Sequence, residues 1–223
     1  MQLSSRTAMK SAALIGAAAL SVGVVAPVAS ASEGQTIVLT SYGAFSRDHN
    51  SSGEVAQQAK EILEQDGYNI VYQEIATDWS TFASDLDSLV EANDPDAIIS
   101  LGETTGIPAP AVELMGYNKR EGVDANGNRG EGAVDENDPS ERRAPAENKA
   151  AQQATKQAGH RVIPSYDAGR YLCNAALYTN LGFLEEGRVD HAAFVHVPAR
   201  AAGAAQTQSD AEGVAEFVKN LVG

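Results

Sequence analysis

The sequence runs to 223 residues, with a formal net charge of −14 and a single cysteine. So acidic a chain is a poor partner for nucleic acid or an anionic membrane surface, and one thiol excludes any disulfide within the chain. The length suits one domain with a proper core and is short for two.

Arg6 and Lys10 precede an Ala/Val/Leu-rich stretch over residues 11–28, and Ala29-Ser30-Ala31 follows as a small-x-small cleavage signal. That order is read as a secretory signal peptide over residues 1–31. Gly16, Gly23 and Pro27 interrupt the apolar stretch and make it short for a bilayer span. The expectation is a single mature domain over residues 32–223, secreted or held in the cell envelope, with no membrane contact after cleavage. In such an oxidising place a free thiol asks for a reason.

The mature chain opens with a short apolar run at residues 37–40, the pattern of a strand buried on both faces, and a polar loop follows over 41–52. Val55, Ala59, Ile62 and Leu63 then fall on one helical face, which closes at Asp66-Gly67. Residues 70–75 form the second strand. Phe82, Leu86, Leu89 and Val90 repeat the helical spacing up to Asn93-Asp94-Pro95, and residues 97–100 give the third strand. Over residues 118–146 the regularity stops: charge, glycine, asparagine and proline dominate, with Val123 and Val134 the only branched apolar residues, so a long flexible polar loop is expected.

Order returns with a helix near residues 147–158, a strand at 161–165, a helix carrying Leu177, Leu181 and Leu184, and a strand at 192–197. Ser209-Asp-Ala-Glu212 reads as a capping box for a last helix with Val214, Phe217, Val218 and Leu221. Strands of a few residues alternating with helices, about five of each, predict an α/β domain with a mostly parallel twisted sheet.

Cys173 lies in the first turn of a predicted helix, where unpaired amides and the helix dipole favour a thiolate. On position alone, a lone cysteine is more often a small buried hydrophobe. Of the four histidines, His49 sits in the first loop and His160 and His191 at strand starts. His196 ends the run Ala193-Phe194-Val195, at the carboxyl end of a strand, where open α/β sheets gather their chemistry. Glu113 sits in the apolar surround Ala111-Val112-Glu113-Leu114 and suits a residue that orients an imidazole.

Taken together, these stretches resemble the pyroglutamyl peptidase I family of cysteine peptidases, also called pyrrolidone-carboxylate peptidases. Thr40-Ser-Tyr-Gly-Ala-Phe45 is similar to the family's Thr-Gly-Phe-x-Pro-Phe, and Asn50-Ser-Ser52 to its Asn-Pro-Ser. Pro95-Asp-Ala-Ile-Ile-Ser-Leu-Gly102 resembles its third-strand motif, with Glu113 and Asn118 at the spacing of the family's glutamate and asparagine. Asp167-Ala-Gly-Arg-Tyr-Leu-Cys-Asn174 resembles the nucleophile motif, and Phe194-Val-His-Val-Pro198 the histidine motif.

The resemblance implies a three-layer, phosphorylase/hydrolase-like sandwich with helices on both faces of the sheet. It implies a Cys173–His196–Glu113 triad that removes N-terminal pyroglutamyl residues from small peptides, with no cofactor and no metal. Tyr42, Phe45 and Tyr171 stand at the aromatic positions around the pyroglutamyl ring. The family commonly forms dimers or tetramers, so a homo-oligomer is expected too. Departures stand beside these matches: Thr105-Gly106-Ile107 replaces Gly-Gly-Arg, Ser46-Arg47 replaces a glycine pair, and Val123 aligns with the arginine beside the reacting centre. That leaves Arg120 as the nearest candidate for oxyanion support. The departures motivate a second reading, a catalytically impaired homologue that binds pyroglutamyl or other N-capped peptides.

Overall fold

The computed structural model describes residues 34–45 and 47–223; the signal peptide read over residues 1–31 lies outside them. Its centre is a six-stranded sheet built from β1 (Thr36–Tyr42), β2 (Asn69–Ile75), β3 (Ala97–Thr104), β4 (Ala111–Glu113), β9 (Ile163–Ser165) and β10 (His191–Pro198). The strand order is β2-β1-β3-β10-β4-β9, and every neighbouring pair is parallel except β10 with β4. Ile37, Val38, Leu39, Ile98, Ile99, Phe194 and Val195 are buried to within about one per cent, as continuous apolar strands covered on both faces must be.

Five helices supply that cover. On one face α1 (Ser51–Gln65) packs against α5 (Gln206–Val222), which in turn packs against α3 (Ala146–Gln157); on the other α2 (Phe82–Asn93) meets α4 (Leu172–Glu185). The mostly parallel sheet between two helical layers is the expected α/β sandwich. α1 begins at Ser51, inside the stretch expected to be loop, because the Asn50 side chain accepts the Ser52 amide at 3.0 Å and caps the helix.

Two local expectations need correcting. The last helix starts at Gln206, three residues ahead of the expected capping box, through backbone turns Ala204–Ala201 and Thr207–Ala204. Ser209 then donates back to the Gln206 carbonyl from inside the first turn, and the Glu212 carboxylate accepts from the Gln208 side chain. Neither is free to cap.

The polar segment at 118–146 is not an irregular loop either. Its ends pair β5 (Met115–Tyr117) with β8 (Glu141–Arg143), and β6 (Gly122–Val123) pairs with β7 (Arg129–Gly130), both antiparallel. Polar side chains do the anchoring that apolar ones do elsewhere. Asn118 accepts the amides of Val134 and Asp135 at 2.6 and 3.0 Å, while Arg142 is buried between Asp138, Glu185 and the Tyr178 carbonyl.

Asp124 is the tightest of these anchors. Its carboxylate accepts the amides of Trp79, Asn126 and Asn128 and the Asn128 side chain, all at 2.8–3.0 Å. Burial opposes its charge, but the hydrogen bonds donated by Trp79 and Asn128 outweigh that and hold the carboxyl below its ordinary value. A depressed acid stabilises the fold above its unfolded value of about 3.9 and loses that contribution as pH falls through the lower folded value. The β6–β7 hairpin should therefore loosen in acid. Loss of hydrogen-exchange protection, relative to the free-amide rate at the same pH, at the Asn126 and Asn128 amides below about pH 4, ahead of the sheet amides, is the expected reading.

Candidate active site

Three elements bring three side chains to one end of the sheet. His196 lies near the end of β10, in register with Gly102 of β3 on one side and Ala111 of β4 on the other. Because β4 runs antiparallel to β10, Glu113 stands diagonally across from His196, within reach of a long side chain. The Glu113 Oε1 atom lies 2.7 Å from His196 Nδ1, and both residues are buried. A carboxylate there fixes the tautomer: Nδ1–H donates to Glu113, and Nε2 is left to face the third group.

That group is Cys173, the second residue of α4. Its sulfur lies over Gly102: a Cβ at residue 102 would stand 2.8 Å from Cys173 Sγ and 2.8 Å from Phe194 Cζ. Glycine at 102 is thus a requirement for seating the thiol beside His196. Burial disfavours the charged imidazole, but Cys173, by charge and hydrogen bond, and then Glu113 outweigh it and raise His196 from 6.5 to about 10. The Phe194 ring meets the imidazole edge-on at 5.0 Å between centroids, which limits its rotation.

The first turn of α4 has no side-chain cap, and the amides of Leu172, Cys173 and Asn174 make no hydrogen bond among the described residues. These are helix N-terminal donors, aimed away from the helix with the positive end of its dipole behind them. Asn174 anchors the turn by donating to the Tyr117 and Lys119 carbonyls and accepting the Tyr117 amide.

Cys173 opens on a cavity of about 220 Å³. One wall is Tyr42, Phe45, Thr77, Tyr171 and Leu172; the rim carries Arg47, His49, Asn50 and Glu103. Phe45 and Tyr171 stack at 5.8 Å with rings 21° apart, and Tyr42 donates its hydroxyl to the Leu172 carbonyl. Burial, then Asp124 and Cys173, push Tyr171 up to about 12, and burial chiefly raises Tyr42, so both phenols are neutral. Phe45 remains 44% exposed, a large apolar ring that a bound ligand would cover.

The three aromatic residues expected around a substrate thus share one cavity with Cys173. Arg120 is not among the residues lining the cavity: its amide donates to the Gly132 carbonyl within the polar segment, its Nε is buried with no partner among the described residues, and the arginine lining the cavity is Arg47. Thr77, Leu172 and Glu103 escape the sequence reading. Leu172 adjoins the cysteine and was accessible by adjacency, whereas nothing local marks Thr77 or Glu103. Among the described residues no group of three or more His, Cys, Asp or Glu is placed to hold a metal ion.

Comparison with known proteins identifies the family of the chain. Residues 35–215 match the family model described as pyroglutamyl peptidase. The pyrrolidone-carboxylate peptidase of Thermococcus kodakarensis is 32% identical over 142 residues, covering 60% of this chain and 68% of that protein. The Brevibacillus brevis protein of the same name is 27% identical over 174 residues, 74% of this chain and 78% of its own. Among solved structures, the pyrrolidone carboxyl peptidase of Thermococcus litoralis superposes with a TM-score of 0.74 at 19% identity, over 83% of this chain and 92% of that one. Pyroglutamyl peptidase I of Bacillus amyloliquefaciens gives 0.73 at 19% identity, over 84% and 97%. With residues 35–215 matched by the family model, this chain belongs to the pyroglutamyl peptidase family.

Proposed function

We propose that the chain is a cysteine peptidase that removes the pyroglutamyl residue from the N-terminus of peptides, working outside the cytoplasm after loss of residues 1–31. The observation that carries the reading is the buried Glu113–His196 hydrogen bond, with His196 raised by the thiol of Cys173 at the floor of an aromatic cavity. That pairing favours a hydrolase over a homologue that only binds.

In the reaction, Cys173 sulfur attacks the carbonyl carbon of pyroglutamate and His196 holds the thiol proton. The oxygen of the tetrahedral intermediate takes its charge against the free amides of the α4 first turn, so support comes from backbone N–H groups. Collapse expels the peptide amine, to which His196 gives the proton. Water, deprotonated by His196, then attacks the thioester; pyroglutamate leaves and the thiol is restored. Glu113 keeps the imidazole oriented through both halves. Neutral Tyr42 and Tyr171, with Phe45, offer flat apolar surface to a small uncharged lactam and no counter-ion to a protonated amino terminus.

The test is release of a chromophore from a pyroglutamyl conjugate by protein lacking residues 1–31, under reducing conditions, beside the matching prolyl and acetyl conjugates. Turnover confined to the pyroglutamyl conjugate is expected; none, or turnover of all three alike, would overturn the reading. N-terminal sequencing of the exported protein checks cleavage after Ala31.

A further inference from the structure

The rim of the cavity carries a charge that the proposed chemistry does not use. Arg47 Nη1 donates to Glu103 Oε1 at 2.5 Å, and Nη2 to the Arg200 carbonyl at 2.6 Å. Both anchors are themselves held. Glu103 Oε2 accepts the Ser51 amide and hydroxyl at 2.7 Å each, and Arg200 is paired with Asp210.

This clamp sits beside the reacting centre. Glu103 follows Gly102 directly on β3, pairs with Val197 of β10, and Gly102 lies under Cys173 Sγ in register with His196. Both Glu103 oxygens are committed and its side chain is only 12% exposed, whereas the Arg47 side chain is 38% exposed on the rim. The outward-facing group of the pair is therefore the guanidinium. Its Nε–H and the second hydrogens of both terminal nitrogens have no partner among the described residues. A planar fork fixed at two points, with spare donors, recognises a carboxylate with little further loss of side-chain freedom.

The aromatic wall takes the pyroglutamyl ring and Cys173 the scissile carbonyl, so the part of the substrate that crosses the rim is the departing peptide. We infer that Arg47 is a specificity residue that recognises a carboxylate on the first residue after the scissile bond. This rests on the pyroglutamyl reading above. The carboxylate has two sources, an Asp or Glu side chain at that residue or the C-terminus of a dipeptide, and both present the same chemistry.

Binding to full-length Cys173→Ser protein, by calorimetry, separates the questions without turnover. Three probes suffice: pyroglutamyl-alanine amide, pyroglutamyl-alanine with a free C-terminus, and pyroglutamyl-glutamate α-amide with only its side-chain carboxylate free. At least one carboxylate probe should bind about tenfold tighter than the amide, and which one does identifies the source. Added Arg47→Gln should bring the ratio to within about twofold, while Arg47→Lys, which keeps the charge and loses the fork, should fall between. The preference should also weaken as salt rises, since the rim is open to solvent. Equal affinity for all three probes with Arg47 present would overturn the inference and leave the pyroglutamyl reading standing, as would a preference that survives Arg47→Gln. No binding of any probe would overturn both.

Discussion

Cys173→Ala is expected to abolish release of pyroglutamate, lowering kcat by something on the order of 10⁴–10⁶. His196→Ala should cost about 10²–10⁴, and the double variant should be no worse than Cys173→Ala alone, because thiol and imidazole act as one unit. The measurement is kcat on the pyroglutamyl conjugate for all three. Losses that multiply in the double variant would mean that the two residues do not act together.

The pair also predicts a pH dependence. A histidine raised from 6.5 to about 10 holds its proton across the neutral range and gives it up as pH rises through that higher value. The proton that His196 delivers to the leaving amine is therefore present through the neutral range, and kcat/KM should fall as pH rises through about 10. Alkylation of Cys173 by iodoacetamide at pH 6 should be faster with His196 present than in His196→Ala; an equal rate in the two would count against an activated pair. Glu113→Gln should lie between the two, since the imidazole keeps a partner and loses its charge.

Gly130→Ala is expected to damage both stability and substrate binding, although residue 130 touches neither the thiol nor the histidine. A Cβ there would stand 2.3 Å from Trp79 Cε2 and 2.4 Å from Cζ2. The indole cannot move aside. It meets Phe82 and Tyr171 edge-on at 5.8 and 5.5 Å, and its own amide is held by Asp124. Overpacking of this kind costs about 1–3 kcal/mol, which for a domain of this size lowers Tm by roughly 2–12 °C. Whatever relieves the clash must also displace Tyr171, so KM should rise more than kcat falls. A variant with lower Tm and unchanged KM would show that Tyr171 is not supported from behind.

Legibility of the fold followed the range of its interactions. α1 and α2 could be read from Val55, Ala59 and Leu63 and from Phe82, Leu86 and Val90 because a helix writes its burial into neighbouring residues. The buried strands β1, β3 and β10 announced themselves as unbroken apolar runs. β4 did not: three residues, Ala111 to Glu113, carry too little pattern, and its strand character comes from pairing with β10 and β9 across more than fifty residues of chain. The polar segment misled for a different reason. Asn118, Asp124 and Arg142 read as solvated by composition, yet each spends its polarity on partners inside the fold, backbone groups for Asn118 and chiefly for Asp124, two carboxylates and a carbonyl for Arg142, which no local count of hydrophobes reveals.

The candidate site divides the same way. Cys173 and His196 lie in motifs whose residues are contiguous, and the aromatic wall follows them. The clamp of Arg47 on Glu103 joins the first loop to the end of β3, fifty-six residues apart in sequence, and the amide donors of the α4 first turn are backbone groups that leave no mark in residue identity.

Trp79 is the only tryptophan in the chain, and it meets Tyr171 edge-on without itself lining the cavity. Its indole nitrogen is buried and has no hydrogen-bond partner among the described residues. Intrinsic fluorescence of the protein therefore comes from one site, whose emission depends on a ring in contact with the substrate wall. A pyroglutamyl peptide pressing on Tyr171 in the Cys173→Ser protein would shift that emission. Occupancy can then be titrated optically, with no label attached and no bond broken.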